Sequence, residues 1–132
     1  MNMLGNKILD HFENPRNHGE IQEADGIGYA GKPAKGITIK MSVKVEKGVI
    51  KDVKFKTAGC ALSIASASMV TELVKDVAVD EALFLSPGDV SQALGGIPEE
   101  KMHCSELAVE ALYKALTNYR TRSINSTNQE GK

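Results

Sequence analysis

Two cysteines, Cys60 and Cys104, each stand where a helix is about to begin. Cys60 follows Gly59, and Cys104 follows His103 within the stretch Lys101–Leu107, "KMHCSEL". Helix N-termini carry partial positive charge and unpaired N–H groups. A thiol placed there loses its proton more easily, and the thiolate is both nucleophile and metal ligand. Gly59 permits a tight backbone turn and the close approach of another group. His103 adds an imidazole, a common metal ligand and proton acceptor. Position alone leaves three roles open for the thiols: metal ligand, sulfur carrier, or small buried hydrophobe. Cys104 has the long helix, the neighbouring imidazole and a Gly- and Pro-containing loop before it, so it is the expected reactive thiol. Cys60, among Ala58, Ala61 and Leu62, is the expected quieter one. His11 and His18 have no cysteine beside them and are read as surface or capping histidines.

The elements that must position these groups follow from periodicity. Met3, Leu4, Ile8, Leu9 and Phe12 recur at near-helical spacing, and Asn14-Pro15-Arg16-Asn17 ends that helix. Ile37, Ile39, Met41, Val43 and Val45 alternate with polar residues, which predicts a strand with one buried face. Glu46-Lys47-Gly48 supplies a turn, and Val49, Val53 and Phe55 share a face of a second strand, making a hairpin. The Gly-rich connection before Gly36 is expected to add a third. From Cys60 the period changes: Leu62, Ala65, Met69 and Leu73 predict an amphipathic helix. One or two short helices are expected over 80–95, with Ser86-Pro87 as N-cap and first residue. Leu107, Ala108, Ala111, Leu112, Ala115 and Tyr119 mark the last helix. Residues 1–121 therefore read as one α+β domain, and 122–132 as a disordered polar tail.

Composition excludes several functions. Hydrophobic residues make up 42% and charged residues 25% of the 132, and the net charge is -1. Nothing there suggests nucleic acid or an anionic membrane as partner. No apolar run approaches the ~18 residues of a spanning helix. The start lacks the apolar core of a signal peptide, so a cytoplasmic protein is expected, with free rather than disulfide-bonded thiols.

Three stretches, "DHFENPRNHGEI", "KFKTAGCALSIASASMVTELVK" and "LGGIPEEKMHCSELAVEALYKAL", resemble the IscU/NifU-type scaffold family of iron–sulfur cluster assembly. The resemblance runs in order from about Leu4 to Tyr119. It implies a three-stranded antiparallel sheet packed against helices and a rim site built from three cysteine-bearing loops. It implies a cysteine desulfurase as sulfur donor and apo-proteins as recipients. Cys60 and Cys104 match two of the family's ligand cysteines, and His103 matches its histidine. At the third loop the chain departs: Lys35 stands in place of cysteine and Ile37 in place of aspartate. Lys35 is therefore read as a modifier of the site, lowering thiol pKa values and opposing an incoming cation. The implied cargo is a labile 2Fe-2S cluster or a single Zn or Fe ion. Two subunits would supply the four thiolates of a two-iron cluster, so a homo-oligomer is one expectation. Ile97-Pro98-Glu99-Glu100-Lys101 resembles the family's chaperone-recruiting motif. Its Glu99 and Glu100 argue against chaperone dependence. No catalytic constellation is visible beyond Cys104, the candidate sulfur acceptor, with His103. The implied function is cluster assembly as a scaffold or scaffold-derived protein rather than an enzyme. The alternatives are a cluster-free paralogue that accepts persulfide sulfur or regulates a desulfurase, and a bystander with inert cysteines.

Overall fold

The computed structural model describes residues 5–130, with side chains up to residue 123. Met3 and Leu4 lie outside the described residues. Three strands, β1 (Gly26–Lys32), β2 (Ile37–Glu46) and β3 (Val49–Ala58), form one antiparallel sheet in the order β1-β2-β3. The alternation of β2 is observed: Ile37, Ile39, Met41 and Val43 are buried, and Val53 and Phe55 of β3 lie on the same face. The expected hairpin pairs Met41 with Phe55 and Val43 with Val53, with a bulge between Lys44 and Val45.

β1 owes its place to small residues. A Cβ on Gly28 would lie 2.3 Å from the Ala111 carbonyl oxygen, and one on Gly26 would lie 2.2 Å from that of Ala115. Both carbonyls belong to helix α5 (Met102–Glu130), which packs along β1 and across β2. The glycines thus bring strand and helix backbones together at a distance that any side chain would forbid.

Helix α1 (Asn6–Glu13) packs on α2 (Ala61–Val74), and α2 sits against β3 and α5. The expectation of an amphipathic α2 is corrected. Ser63, Ser66, Ser68 and Thr71 are buried alongside Leu62, Ala65 and Val70, while Leu73 is exposed. Neighbours on several sides enclose the helix, so it has no polar face to offer water. Its hydroxyls find partners: Ser66 meets Ser105 at 3.3 Å, Thr71 donates to the Ser68 carbonyl, and Ser68 accepts from the Arg16 N–H at 2.9 Å.

The reading of His11 is corrected as well. It is buried, with Nδ1 2.7 Å from Ser68 Oγ and Nε2 3.3 Å from Glu72, while the neighbouring Phe12 is exposed. Burial and the nearby Arg16 hold its pKa below the ordinary value. His18 stands edge-on to Phe55 with ring centroids 5.4 Å apart. Residues 17–19 flank β3 there, with backbone bonds in both directions between them and Phe55.

Short helices α3 (Val79–Ala82) and α4 (Pro87–Ala93) follow α2. Ser86 caps α4 as expected, accepting from the Asp89 N–H while Asp89 accepts from the Ser86 N–H. The last helix does not end near residue 121. It continues to Glu130 through the stretch expected as disordered tail. No glycine or proline interrupts the sequence before Gly131, and polarity alone does not stop a helix.

Candidate functional site

Three chain turns meet at one rim of the sheet. The first is a single 3-10 turn, Pro33–Lys35, between β1 and β2, closed by the left-handed Gly36. The second is Gly59-Cys60, between β3 and α2. The third is the 3-10 turn Glu99–Lys101, which runs directly into α5.

Cys60 is the N-cap of α2, and its carbonyl accepts from the N–H groups of Ser63 and Ile64 and from the Ser63 hydroxyl. The tight approach expected at Gly59 is present: a Cβ there would lie 2.5 Å from Ser63 Oγ and 3.4 Å from Ile37 Cγ1. Ile37 is 3% exposed. It therefore lies beneath the Cys60 turn as a core residue, and its position is met by packing rather than polarity.

His103 and Cys104 lie inside the first turn of α5, not before it. Cys104 is fully buried and Cys60 is exposed. Their sulfurs are 3.7 Å apart, although 44 residues separate them in sequence. Two thiolates on one tetrahedral ion, each about 2.3 Å from it, lie about 3.8 Å apart. The pair thus has the spacing of two ligands to one metal.

The electrostatics reverse the order expected for the thiols. Burial pushes Cys60 up, but hydrogen bonds from the Ser63 N–H, the Cys104 thiol and the Leu62 N–H outweigh it and leave Cys60 below the ordinary thiol value. Burial, the hydrogen bond with Cys60 and the charge of Cys60 push Cys104 up to about 12, against the pull of Lys101 and Lys35. The sequence expectation rested on the helix N-terminus, which both cysteines share. Burial of Cys104 behind Cys60, which no local pattern reveals, decides the order.

Desolvation and then the charges of Lys35, Lys32 and Lys101 hold the His103 imidazole below its ordinary pKa. Lys35 thus acts on His103 and Cys104, and it is exposed. Among the described residues, no group of three His, Cys, Asp or Glu side chains is placed to hold a metal. The expected set of Cys60, His103 and Cys104 is therefore a thiol pair with an imidazole nearby, not a preformed three-ligand site. Lys32 is the neighbour that sequence reasoning missed. It ends a glycine-rich strand, and no residue pattern marks it.

The sequence matches the profile of the family described as "NifU-like N terminal domain" over residues 3–126. The chain belongs to the NifU-like N-terminal domain family. Relatives at high identity bear this out. One is "Iron-sulfur cluster assembly scaffold protein IscU 1" of Archaeoglobus fulgidus, 47% identical over 117 residues, covering 89% of this chain and 76% of that one. Another is "Iron-sulfur cluster assembly scaffold protein IscU" of Escherichia coli, 42% identical over 120 residues, covering 88% and 93%. A solved NifU-like N-terminal structure from Brucella abortus superposes with TM-score 0.72 at 18% identity, over 89% of this chain and 94% of the other. At that identity the likeness speaks to the fold. The NifU-like sheet and helices expected from the sequence are the architecture observed. No helix among the described residues is long and apolar enough to cross a membrane.

Proposed function

We propose that this NifU-like chain serves iron–sulfur cluster assembly as a scaffold-derived protein, holding iron or a labile cluster through Cys60 and Cys104. The observation that carries this reading is the 3.7 Å separation of the two sulfurs at the rim of a domain whose relatives are named as assembly scaffolds. Thiolates suit iron, zinc and iron–sulfur clusters. His103 is the further candidate ligand, or a proton acceptor. With two thiolates per chain, a 2Fe-2S cluster needs a second subunit or a partner's ligands. The cluster is cargo, so the chain acts as a carrier and not as an enzyme. A cysteine desulfurase is the proposed sulfur source and apo-proteins the proposed recipients. A reducing cytoplasm suits two free thiols.

Sulfur is proposed to enter at Cys60, not at Cys104 as the sequence suggests, because Cys60 is exposed and Cys104 is buried behind it. A second reading, a cluster-free persulfide acceptor, is favoured by Lys32, Lys35 and Lys101, whose charges act on His103 and oppose a bare Fe²⁺. Anaerobic reconstitution with ferrous iron and sulfide separates the two. Visible charge-transfer absorption that is lost in Cys60→Ser and in Cys104→Ser supports the carrier. Absence of absorption, with a persulfide formed from a desulfurase and cysteine, selects the second reading.

A further inference from the structure

The two thiols are not equivalent, and their arrangement has a chemical use beyond holding iron. Cys60 is exposed, whereas Cys104 has no accessible surface and its sulfur lies 3.7 Å from Cys60 Sγ. An external sulfur donor therefore reaches Cys60 and not Cys104. The chain contains no third cysteine. Any group attached to Cys60 Sγ hangs from a sulfur that lies 3.7 Å from the Cys104 thiol, just beyond the ~3–3.5 Å of a near-attack contact. We propose that Cys104 is a resolving thiol, which releases sulfide from a persulfide on Cys60 by closing an internal Cys60–Cys104 disulfide. The inference rests on the reading that sulfur is delivered to this pair.

The chemistry balances without an outside reductant. The Cys60 thiolate attacks the outer sulfur of a donor persulfide, R–S–SH. The donor's S–S bond breaks, R–SH leaves, and Cys60 carries Sγ–SH. Cys104 Sγ then attacks Cys60 Sγ. The Sγ–Sγ bond forms as the bond from Cys60 Sγ to the outer sulfur breaks, and the Cys104 proton leaves with that sulfur as hydrogen sulfide. The sulfane sulfur gains two electrons, and the two cysteine sulfurs together lose two. Reaching disulfide length requires the sulfurs to close by about 1.7 Å. Hydrosulfide is a better leaving group than an alkyl thiolate, which favours departure of the outer sulfur. Lys35 and Lys101, whose charges act on Cys104, stabilise the departing anion. A dithiol reductant resets the pair. In this way a chain with two thiols supplies the oxidation level of sulfur that a cluster needs, as sulfide, and does so only once per reduction cycle.

The test uses the reduced full-length protein under anaerobic conditions with one equivalent of glutathione persulfide. Intact and peptide mass spectrometry are run beside a bimane assay for sulfide. The wild type is expected to lose two hydrogens in mass, to show Cys60 linked to Cys104 within one chain, and to release about one equivalent of sulfide. Cys104→Ser is expected to gain one sulfur atom on Cys60 and release none. A stable one-sulfur adduct on the wild type, or no reaction there, overturns the proposal without recourse to any variant. So does equal sulfide release from Cys104→Ser, or a glutathione adduct in place of the single sulfur. Iron reconstitution uses sulfide rather than persulfide, so failure of the carrier reading and failure of this step are scored separately.

Discussion

Replacing Ile37 by aspartate should destabilise the protein sharply. Ile37 is 3% exposed and lies 3.4 Å from where a Gly59 Cβ would be. Losing a buried aliphatic side chain of this size costs about 2–5 kcal/mol. Burying a carboxylate in its place adds roughly 1–3 kcal/mol after the group has adjusted its protonation. The expected loss is therefore about 3–8 kcal/mol, a large share of the roughly 5–15 kcal/mol that holds a domain together. Urea unfolding of Ile37→Asp and Ile37→Asn, read by circular dichroism, separates the two contributions. Asparagine has the same shape without the charge. Burial raises the aspartate pKa above its unfolded value near 3.9, so the variant is most stable below that value and loses stability as pH rises through the folded pKa. The gap between the two variants should thus widen from about pH 4 to pH 7. A total loss under about 1 kcal/mol, or an aspartate variant no weaker than the asparagine variant at neutral pH, would refute the placement of Ile37 in the core.

Four further outcomes are expected. Cys60 should be alkylated at least about tenfold faster than Cys104 at pH 7.5, by peptide mass spectrometry. The Cys60 rate should level off below the ordinary thiol pKa, while that of Cys104 keeps rising towards pH 12, where its raised pKa lies; equal rates would contradict the burial order. Lys35→Cys should bind Zn²⁺ more than about tenfold tighter than the wild type, since it adds a thiolate at the rim and removes a positive charge; competition with a chelator gives the ratio, and equal affinities would place that loop away from the thiols. Lys35→Gln should raise the His103 pKa, because the lysine charge helps hold it down; NMR titration of the imidazole decides, and an unmoved midpoint would mean the two side chains do not interact. Gly28→Ala should cost about 2 kcal/mol or more in thermal or urea unfolding, because its Cβ would meet the Ala111 carbonyl at 2.3 Å; a neutral result would mean β1 and α5 are less closely packed.

The fold was legible wherever local periodicity and burial coincide. β2 alternates because one of its faces is covered, so Ile37 to Val45 announce it. The Ser86-Pro87 cap is local chemistry and was readable for the same reason. β1 announces itself poorly, because Gly26, Gly28 and Gly31 weaken a strand pattern, and Gly26 and Gly28 make sense only against α5, more than 80 residues later. His11 was misread because its partners Ser68 and Glu72 lie far along the chain, Ser68 57 residues away. At the site, the resemblance pointed to Cys60, His103 and Cys104, and the fold brings the two sulfurs together, but the ranking of the two thiols depends on which sulfur is covered. That is a property of how α5 docks beside α2. Lys35 was singled out in the sequence by resemblance alone, whereas Lys32 ends a glycine-rich strand that no residue pattern marks.

The placement of the rim turns also bears on the order in which the molecule assembles. Pro33–Lys35, Gly59-Cys60 and His103-Cys104 come from three well-separated parts of the chain, and the thiol pair closes a loop of 44 residues. Contacts of such long range form late, because the entropy of loop closure is lost before they return anything. During synthesis the sheet and α2 emerge first, and Cys60 remains without its partner until α5 has left the ribosome and settled on the β1 glycines. Under the proposed function, the paired thiols would act as a checkpoint in time: the pair exists only after the last helix has docked, so half-made molecules would offer cargo a single thiol at most.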